Sequence, residues 1–441
     1  MKEKALKIIK TLIQHGFEAC YVGGCVRDYV LGKEIKDFDV VTNATPEQVA
    51  EVFGNTVSCG NTFLVSLVDN IEVATYRLDK KDKAIHAKTL HEDVIRRDFT
   101  INGLAMTLNG EIVDYVGGLQ DIHDRVLRFI GDPLKRIAED PVRILRGLRF
   151  ASKYNLNIEY NTHFAILNYK GLIHSIPKER VQLEIEKAFK DNAYGFIRLL
   201  DEYELLEDVF PAVARLKGID GGTHHAETVF THCLNALKAM DFPHIPFTVK
   251  LACLYHDTGK FNFQVDEYDN NTFHNHEASS YMFAVNDLEK LKFSNQVVED
   301  VSNLCKVHMF SILDTEQTEQ KNKVKAKRVK KLLATLNNNN LSVKDFLRVR
   351  YADKKANAKK YGVTFRFVRD LYRQILEIMN TAPPMTVKDL QLNGYDFMKL
   401  GLKGKQIGDM QKYLLEKVLN EEIKNEKSDL LLCVAQKMIE D

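Results

Sequence analysis

The chain has 441 residues, 45% of them hydrophobic and 28% charged, which allows several domains and excludes a disordered, fibrous or disulfide-stapled miniprotein class. Lys and Arg number 62 against 61 Asp and Glu, so any affinity for nucleic acid has to come from local basic patches and not from overall charge. The 7 cysteines are scattered without a Cys-x-x-Cys, and no apolar run approaches the roughly eighteen residues of a membrane span, which reads as a cytoplasmic protein with no disulfide framework. Met1–Lys10 is basic, but its apolar residues are interrupted every few positions, so it predicts an amphipathic first helix and not a signal peptide. Short β-rich runs follow at Ala19–Val22, Phe38–Val41, Phe63–Val68, Ile71–Tyr76 and Ile112–Val116, alternating with helix-like stretches. From Pro133 onward the pattern turns helical. Helical spacing is visible in Val142, Leu145, Leu148 and Phe150, and again in Val181, Leu183, Ile185, Ala188 and Phe189. Loops are marked by Lys217–Gly222, Asn337–Asn340 and Ala382–Pro384. The expected architecture is α+β. A head with a mixed sheet and helices (1–132) precedes an all-α neck (133–215), a third helical block (216–360) and a helical tail (361–441).

At the end of the first strand-like run Gly23-Gly24 precedes Val26-Arg27-Asp28, which opens a helix and offers backbone amides to a phosphate. It is no Walker loop, because Gly-Lys-Ser/Thr is missing. Asp37-Phe38-Asp39 follows in an extended run, where residues i and i+2 share a face. Two adjacent carboxylates repel each other unless cations lie between them, so the pair suits Mg²⁺ in phosphoryl transfer.

These residues resemble the tRNA nucleotidyltransferase/poly(A) polymerase family within the polymerase-β-like nucleotidyltransferases, whose Gly-Gly-x-Val-Arg-Asp and Asp-x-Asp motif is met by Gly23–Asp39. Arg96-Arg97-Asp98-Phe99-Thr100-Ile101-Asn102 is similar to the family's ribose-binding motif, with Gly103 where alanine is usual. Ile130–Pro133 and Glu139–Arg146 are similar to the segments that come next. The resemblance implies a polymerase-β-like head that adds C, C and A to the 3′ end of tRNA from CTP and ATP. It implies Asp37 and Asp39 as holders of two Mg²⁺, with Glu72, on a neighbouring strand-like run, as third carboxylate. It places Gly23, Gly24, Arg27 and Asp28 at the triphosphate, Arg97, Asp98 and Asn102 at ribose and phosphates, and Asp140, Arg143 and Arg146 in the base-reading segment. Within the same class a CC-adding enzyme or a poly(A) polymerase stays open. Members that add all three nucleotides carry a basic loop after a Thr-x-Arg segment, here Thr75-Tyr76-Arg77, and the stretch Leu78–Ile95 is short and lacks Arg-x-Pro. The segment Ser175–Glu184, with Glu179 and Arg180, is expected to brace the head against the neck.

Glu139-Asp140-Pro141-Val142-Arg143 also has a direct physical reading. At a helix start, residues three apart are neighbours, so Asp140 offers an acceptor beside the donors of Arg143. Cytosine and adenine present an amino donor next to a ring acceptor, and uracil and guanine the reverse order. The carboxylate and guanidinium thus accept C and A and reject U and G.

Several of the 14 histidines fall in a second order: His232, His256-Asp257, His276, His308, then Asp353. Imidazoles and carboxylates suit Zn²⁺, Mn²⁺, Fe²⁺ or Ni²⁺, and an open site activates water against phosphorus. Leu251–Lys260 predicts a buried helix ending at Gly259 with the His-Asp pair at its inner end. The series resembles the HD phosphohydrolase superfamily, which implies His232, His256, Asp257 and Asp353 as first ligands and His276 and His308 for a second ion. A protein acting mainly as an HD phosphohydrolase in RNA 3′-end repair is therefore an alternative of another class. Lys321–Lys331 holds seven basic residues in eleven, and Lys354–Lys360 adds more. With Lys325, Lys327 and Arg328 in the first run, and Lys403 and Lys405 in a glycine-rich tail similar to that of family members, these are the expected contacts to RNA phosphates.

Overall fold

The computed structural model describes residues 1–54, 57–58, 64–80, 83–221, 227–265, 271–310, 319–357, 366–380, 384 and 386–440, with backbone alone at 57–58, 79–80, 83–84, 319–325, 367 and 439–440. Phe63, Gly222, Lys359, Lys360 and Ala382-Pro383 of the sequence reading lie outside the described residues. So do the side chains of Lys80, Lys83, Lys321, Lys323 and Lys325. The chain divides into two compact units, Met1–Leu205 and Leu206–Asp441.

In the first unit the helix Lys2–Gln14 buries Ala5, Ile8, Ile9 and Leu12, the stripe that its amphipathic pattern demands. Among the described residues one sheet has seven strands: β1 (Ala19–Val22), β2 (Val40–Thr42), β3 (Val57–Ser58), β4 (Val65–Val68), β5 (Ile71–Thr75), and two later ones. A hairpin of β6 (Arg77–Lys80) and β7 (Lys83–His86) stands apart from it, and β8 (Leu104–Met106) and β9 (Ile112–Asp114) complete the sheet in the order β3-β4-β5-β2-β1-β8-β9. Strand β1 runs antiparallel to β2 and β8, and β2 runs parallel to β5 with Val40 opposite Val73. This register sets the residue before Val40, Asp39, beside the residue before Val73, Glu72.

Two expectations shift. The strand expected over Phe38–Val41 begins at Val40, so Asp37 and Asp39 stand in the extended segment ahead of it, where the Asp39 carbonyl accepts from Val22 N. Strand β8 escaped the sequence pattern because Leu104-Ala105-Met106 is three residues long and contains no β-branched side chain. The stretch after Arg77 is the β6–β7 hairpin followed by a helix, Leu90–Ile95, capped by Thr89 and Glu92 in reciprocal hydrogen bonds.

Helices Pro133–Glu139, Val142–Tyr154, Tyr160–Tyr169, Lys178–Asp191 and Ala193–Glu202 finish the unit. The helix Val142–Tyr154 buries Ile144, Leu145 and Leu148. Leu183, at helical spacing with Val181 and Ile185, is 49% exposed. Gly103 has a steric reason to replace alanine, since a Cβ there would lie 2.7 Å from Val116 Cγ2 and 3.1 Å from Ile130 Cδ1.

The second unit is helical. Val229–Met240, Phe247–Tyr255, His276–Lys290, Asn295–Val307 and Val343–Ala356 pack around buried Leu251, Leu254, Leu288, Leu304 and Val349. The tail has a core of its own from Leu392, Phe397, Leu414, Leu430 and Val434, which includes Ala334 of the helix Glu319–Asn338. Among the described residues no helix is long and apolar enough to cross a membrane.

Candidate active site and metal centre

The first unit contains a cleft of about 900 Å³. Gly23, Gly24, Asp37 and Asp39 line one side, and Asp140, Arg143 and Arg146 from the helical segment line another. Burial raises the Asp39 carboxyl above its ordinary range, and the charges of Glu72 and Asp37 push it further, against the pull of Arg97 and Arg27. A carboxylate whose ionisation is opposed by two neighbouring carboxylates is part of a donor set that fits a divalent cation.

Gly23 has φ +71°, and a Cβ on it would lie 3.1 Å from Arg97 Nη1. Only glycine lets the chain turn there beneath the guanidinium. The helix it opens, Gly24–Val30, has only 7 residues, so the positive charge at this end of the cleft comes chiefly from Arg27 and Arg97. Arg27 is buried, lies 4.5 Å from the Tyr154 ring centroid, and donates from Nη1 to Asn102 Oδ1 at 2.6 Å and from Nε to Asp28 Oδ1 at 3.0 Å. Asp28 also accepts from Tyr154 OH at 2.9 Å and is absent from the cleft lining. Asp28, expected at the triphosphate, uses Oδ1 to hold Arg27 and Tyr154.

From Asn102 the hydrogen bonds continue into the ribose-motif aspartate. Asn102 Nδ2 donates to Asp98 Oδ1 at 3.1 Å, and Arg146 donates to Asp98 Oδ2 from Nε at 3.0 Å and from Nη2 at 2.6 Å. Burial by itself would raise Asp98, but Arg146 and these hydrogen bonds outweigh it and hold the carboxyl below its usual range. Arg97 and Arg96 both end on Asp93, a fully buried carboxylate that they keep ionised in spite of its burial.

The base-reading segment departs from its expected form. Asp140, at φ −151° after the helix Pro133–Glu139, caps the next helix: its carbonyl accepts from Arg143 N at 3.1 Å and its Oδ1 from Val142 N at 3.3 Å, so the turn forms but the two side chains are held apart by other partners. Its carboxylate is gripped by Arg180, Nη1 to Oδ1 at 3.0 Å and Nη2 to Oδ2 at 2.8 Å. Arg143 Nη1 donates to Glu139 Oε2 at 2.8 Å and to the Arg136 carbonyl at 2.7 Å. Both side chains still line the cleft, each held by another partner. Arg149, Lys153, Leu183, Glu184 and Lys187 also line it and were missed. Arg146, Arg149 and Lys153 follow Arg143 at helical spacing, which was the available signal for a basic face turned the same way. Arg149 Nε donates to Glu184 Oε2 at 2.6 Å, so Arg180 and Glu184 of the expected bracing segment hold two residues of the wall.

The second unit gathers the expected histidines and aspartates. His232, His256 and Asp257 form one buried cluster and Asp257, His276 and His308 another, with the Asp257 carboxylate common to both. Asp257 Oδ2 lies 3.5 Å from His232 Nε2 and 3.4 Å from His256 Nε2, while Oδ1 lies 3.2 Å from His276 Nε2 and 3.4 Å from His308 Nε2. Asp353 Oδ1 is 3.4 Å from His232 Nε2. The Nδ1 atoms of His256, His276 and His308 donate to the carbonyls of Cys253, Phe273 and Cys305, three residues earlier in each case, at 2.9, 2.9 and 2.6 Å. That assignment leaves their Nε2 lone pairs converging. Burial lowers the His256 imidazole to about 3, against the pull of Asp257, so it is a neutral donor. Asp257 is held below its ordinary range because Lys260, with the hydrogen bonds from His276 and His308, outweighs its burial, Lys260 Nζ lying 2.7 Å from Oδ2. Four histidine side chains, His256 among them neutral, around a charged carboxylate fit a divalent transition metal. Two details differ from expectation: the helix ends at Tyr255, before the His-Asp pair, and Gly259 belongs to the 3₁₀ turn Thr258–Asn262. A Cβ on Gly259 would meet the His276 carbonyl oxygen at 2.0 Å, so this turn closes against the start of the next helix.

The basic patches are only partly open. Lys330 pairs with Glu421 at 2.6 Å, and Arg328 lies 5.9 Å from the Phe310 ring. Lys327 is half-buried, whereas Lys403 and Lys405 are exposed on either side of Gly404.

Residues 19–128 match the poly A polymerase head domain, residues 155–217 the probable RNA and SrmB binding site of polymerase A, and residues 223–336 the HD domain. Poly(A) polymerase I of Salmonella typhimurium is 40% identical over 238 residues, covering 49% of this chain and 51% of that protein. A CCA-adding enzyme of Bacillus licheniformis is 37% identical over 203 residues, covering 44% and 51%. The match thus spans about half the length of these relatives. Among solved structures, the Bacillus stearothermophilus CCA-adding enzyme in complex with CTP superposes with a TM-score of 0.69 at 24% identity over 100% of this chain and 99% of that one, a shared fold. The chain thus carries matches to a poly A polymerase head domain, to the RNA-binding segment of polymerase A and to an HD domain in this order, and in this it is similar to CCA-adding enzymes and poly(A) polymerases.

Proposed function

We propose that the chain is a template-independent RNA nucleotidyltransferase that adds CMP and AMP to the 3′ end of tRNA from CTP and ATP. The observation that carries this reading is Asp37 and Asp39 lining a cleft whose other wall presents Asp140 and Arg143, with the charge of Glu72 acting on Asp39 from the neighbouring strand. In the reaction the terminal ribose oxygen forms a bond to the α-phosphorus, the bond to the leaving pyrophosphate breaks, and the oxygen loses its proton. The chemistry that Mg²⁺ supplies at such carboxylates is a lower pKa for the attacking hydroxyl and neutralisation of the triphosphate. Asp37 and Asp39 are the ligands for it, with Glu72 as third carboxylate. Arg27 and Arg97 face the triphosphate near the Gly23-Gly24 turn. Asp98, turned by Arg146 and Asn102, receives the ribose hydroxyls.

Base choice falls to Asp140 and Arg143, an acceptor and a fork of donors that match the cytosine and adenine edges. Nucleotide entry then exchanges Glu139 for the base at Arg143, while Asp140, still held by Arg180, accepts from the base with its remaining lone pairs. Lys403, Lys405 and the side chain of Lys327 supply contacts to RNA phosphates. The test is extension of a tRNA transcript lacking its 3′ CCA with CTP, ATP or both, comparing wild type with the double variant Asp37→Ala/Asp39→Ala. Two CMP additions followed by one AMP, lost in the variant, support the reading. Arrest after two CMP makes it a CC-adding enzyme, and long AMP tracts a poly(A) polymerase.

A second activity is favoured by the clusters that share Asp257. We infer a metal-dependent phosphohydrolase in the second unit, with His232, His256, Asp257 and Asp353 as first ligands and His276 and His308 for a second ion. Release of inorganic phosphate or opening of a cyclic phosphate at an RNA 3′ end, abolished by Asp257→Asn and untouched by Asp37→Ala/Asp39→Ala, tests it.

A further inference from the structure

Beneath the cleft of the first unit lies a carboxylate to which the proposed chemistry gives no direct part. Asp93 is fully buried, and hydrogen bonds reach both of its oxygens. Oδ1 accepts from Arg96 Nε at 3.0 Å, from Arg96 Nη2 at 2.6 Å and from the backbone amide of Arg77 at 3.2 Å. Oδ2 accepts from Arg97 Nε at 3.1 Å and Nη2 at 2.8 Å. Arg77, Arg96 and Arg97 all line the cleft, whereas Asp93 does not. One buried anion therefore fixes the aim of two guanidiniums and the start of β6, where the third arginine sits. Two cations on one anion leave net positive charge turned toward the cleft. Arg97 Nη1, outside the grip of Asp93, is the atom that lies against Gly23.

We propose that Asp93 is a positioning residue for the anionic end of the nucleoside triphosphate: through its hold on Nε and Nη2 it turns Arg97 Nη1 toward the phosphates beside the Gly23-Gly24 turn. This rests on the nucleotidyltransferase reading above. The two-point hold is what a guanidinium offers and an ammonium does not, so the arrangement requires arginine at 97 and a carboxylate at 93. An amide at 93 has one acceptor and one donor edge, and in either orientation it turns N–H groups on donors of one of its partners.

The experiment measures KM for CTP, KM for tRNA and inhibition by inorganic pyrophosphate in wild type, Asp93→Asn and Arg97→Lys, with thermal melting by circular dichroism as the check of folding. The expected result for Asp93→Asn is a rise of about 10- to 100-fold in KM for CTP and in the pyrophosphate inhibition constant, the scale of losing charge-assisted hydrogen bonds, with KM for tRNA unchanged. The same rise is expected for Arg97→Lys, and the double variant adds nothing beyond either single one. A folded Asp93→Asn protein with wild-type KM for CTP and wild-type pyrophosphate inhibition overturns the proposal. If Asp93→Asn does not fold, Arg97→Lys decides, since a wild-type KM there shows that the two-point hold is immaterial. If wild type itself does not extend tRNA, the nucleotidyltransferase reading fails, and calorimetric binding of pyrophosphate to wild type and Arg97→Lys tests the positioning role separately.

Discussion

Arg180 holds Asp140 by both guanidinium nitrogens, at 3.0 and 2.8 Å, so the rotation of a carboxylate in the base-reading segment is fixed from a helix 40 residues further along the chain. The pair is partly solvated, with Arg180 48% and Asp140 29% exposed, and an ion pair of that kind contributes less than about 1 kcal/mol to stability. Its effect is expected in base choice. In Arg180→Ala, incorporation of UMP relative to CMP should rise roughly tenfold, the scale of one oriented charge-assisted hydrogen bond, with melting nearly unchanged. Competition among the four triphosphates on one tRNA substrate reads this ratio directly.

Glu72 is exposed on β5, yet its charge acts on Asp39 from the neighbouring strand. Glu72→Gln should slow CMP addition by about 10²-fold, less than Asp37→Ala/Asp39→Ala, because one of three carboxylates is lost. Single-turnover rates at saturating CTP separate this from a change in binding.

Because Asp257 serves both clusters of the second unit, ligand substitutions should differ in stoichiometry. After equilibrium dialysis against Mn²⁺ and elemental analysis, His308→Ala should lose one of two bound ions and Asp257→Asn should weaken both. CMP addition, whose proposed chemistry is carried by residues of the first unit and whose RNA contacts do not include these two residues, should stay at the wild-type rate in both variants.

Gly259 admits no side chain, since its nearest neighbours are the backbone oxygen of His276 at 2.0 Å and the backbone nitrogen of Ser280 at 2.7 Å from a Cβ. Gly259→Ala should push the turn Thr258–Asn262 away from the helix His276–Lys290 and destabilise the second unit by about 1–3 kcal/mol. The chain has no tryptophan, so circular dichroism is the suitable probe of its unfolding.

Asp98 contributes stability above the ordinary carboxylate pKa, because Arg146 and its hydrogen bonds hold its folded-state value below the unfolded one. That contribution disappears as pH falls through the lowered value. Asp98→Asn should be less stable than wild type by roughly 1–3 kcal/mol at pH 7, and the gap should narrow in acid. Urea unfolding at a series of pH values measures it.

What could be read from the sequence was what chemistry places close together along the chain. Gly23-Gly24, Asp37 and Asp39 are separated by one short helix, and the histidine series announces itself by residue type. Contacts set by tertiary packing could not be read. Asp140 and Arg143 do share the turn at the helix start that their spacing predicts, but Arg180, 40 residues away in sequence, takes the Asp140 carboxylate. Leu183 fits the apolar stripe of its helix, yet that stripe is wider than the core it meets, so its edge borders the cleft. Asp93 sits three and four residues before Arg96 and Arg97, a spacing ordinarily read as a surface ion pair, and only its burial shows otherwise.

The hydrogen bonds from His256, His276 and His308 to carbonyls three residues earlier have a consequence for robustness. Each ring takes its aim from the backbone of its own segment, so three of the six converging side chains need no distant residue to orient them. Substitutions in the surrounding core that leave those segment ends intact should leave the rings pointing inward. The second unit can therefore drift widely in its packing residues while keeping the same coordination geometry on offer.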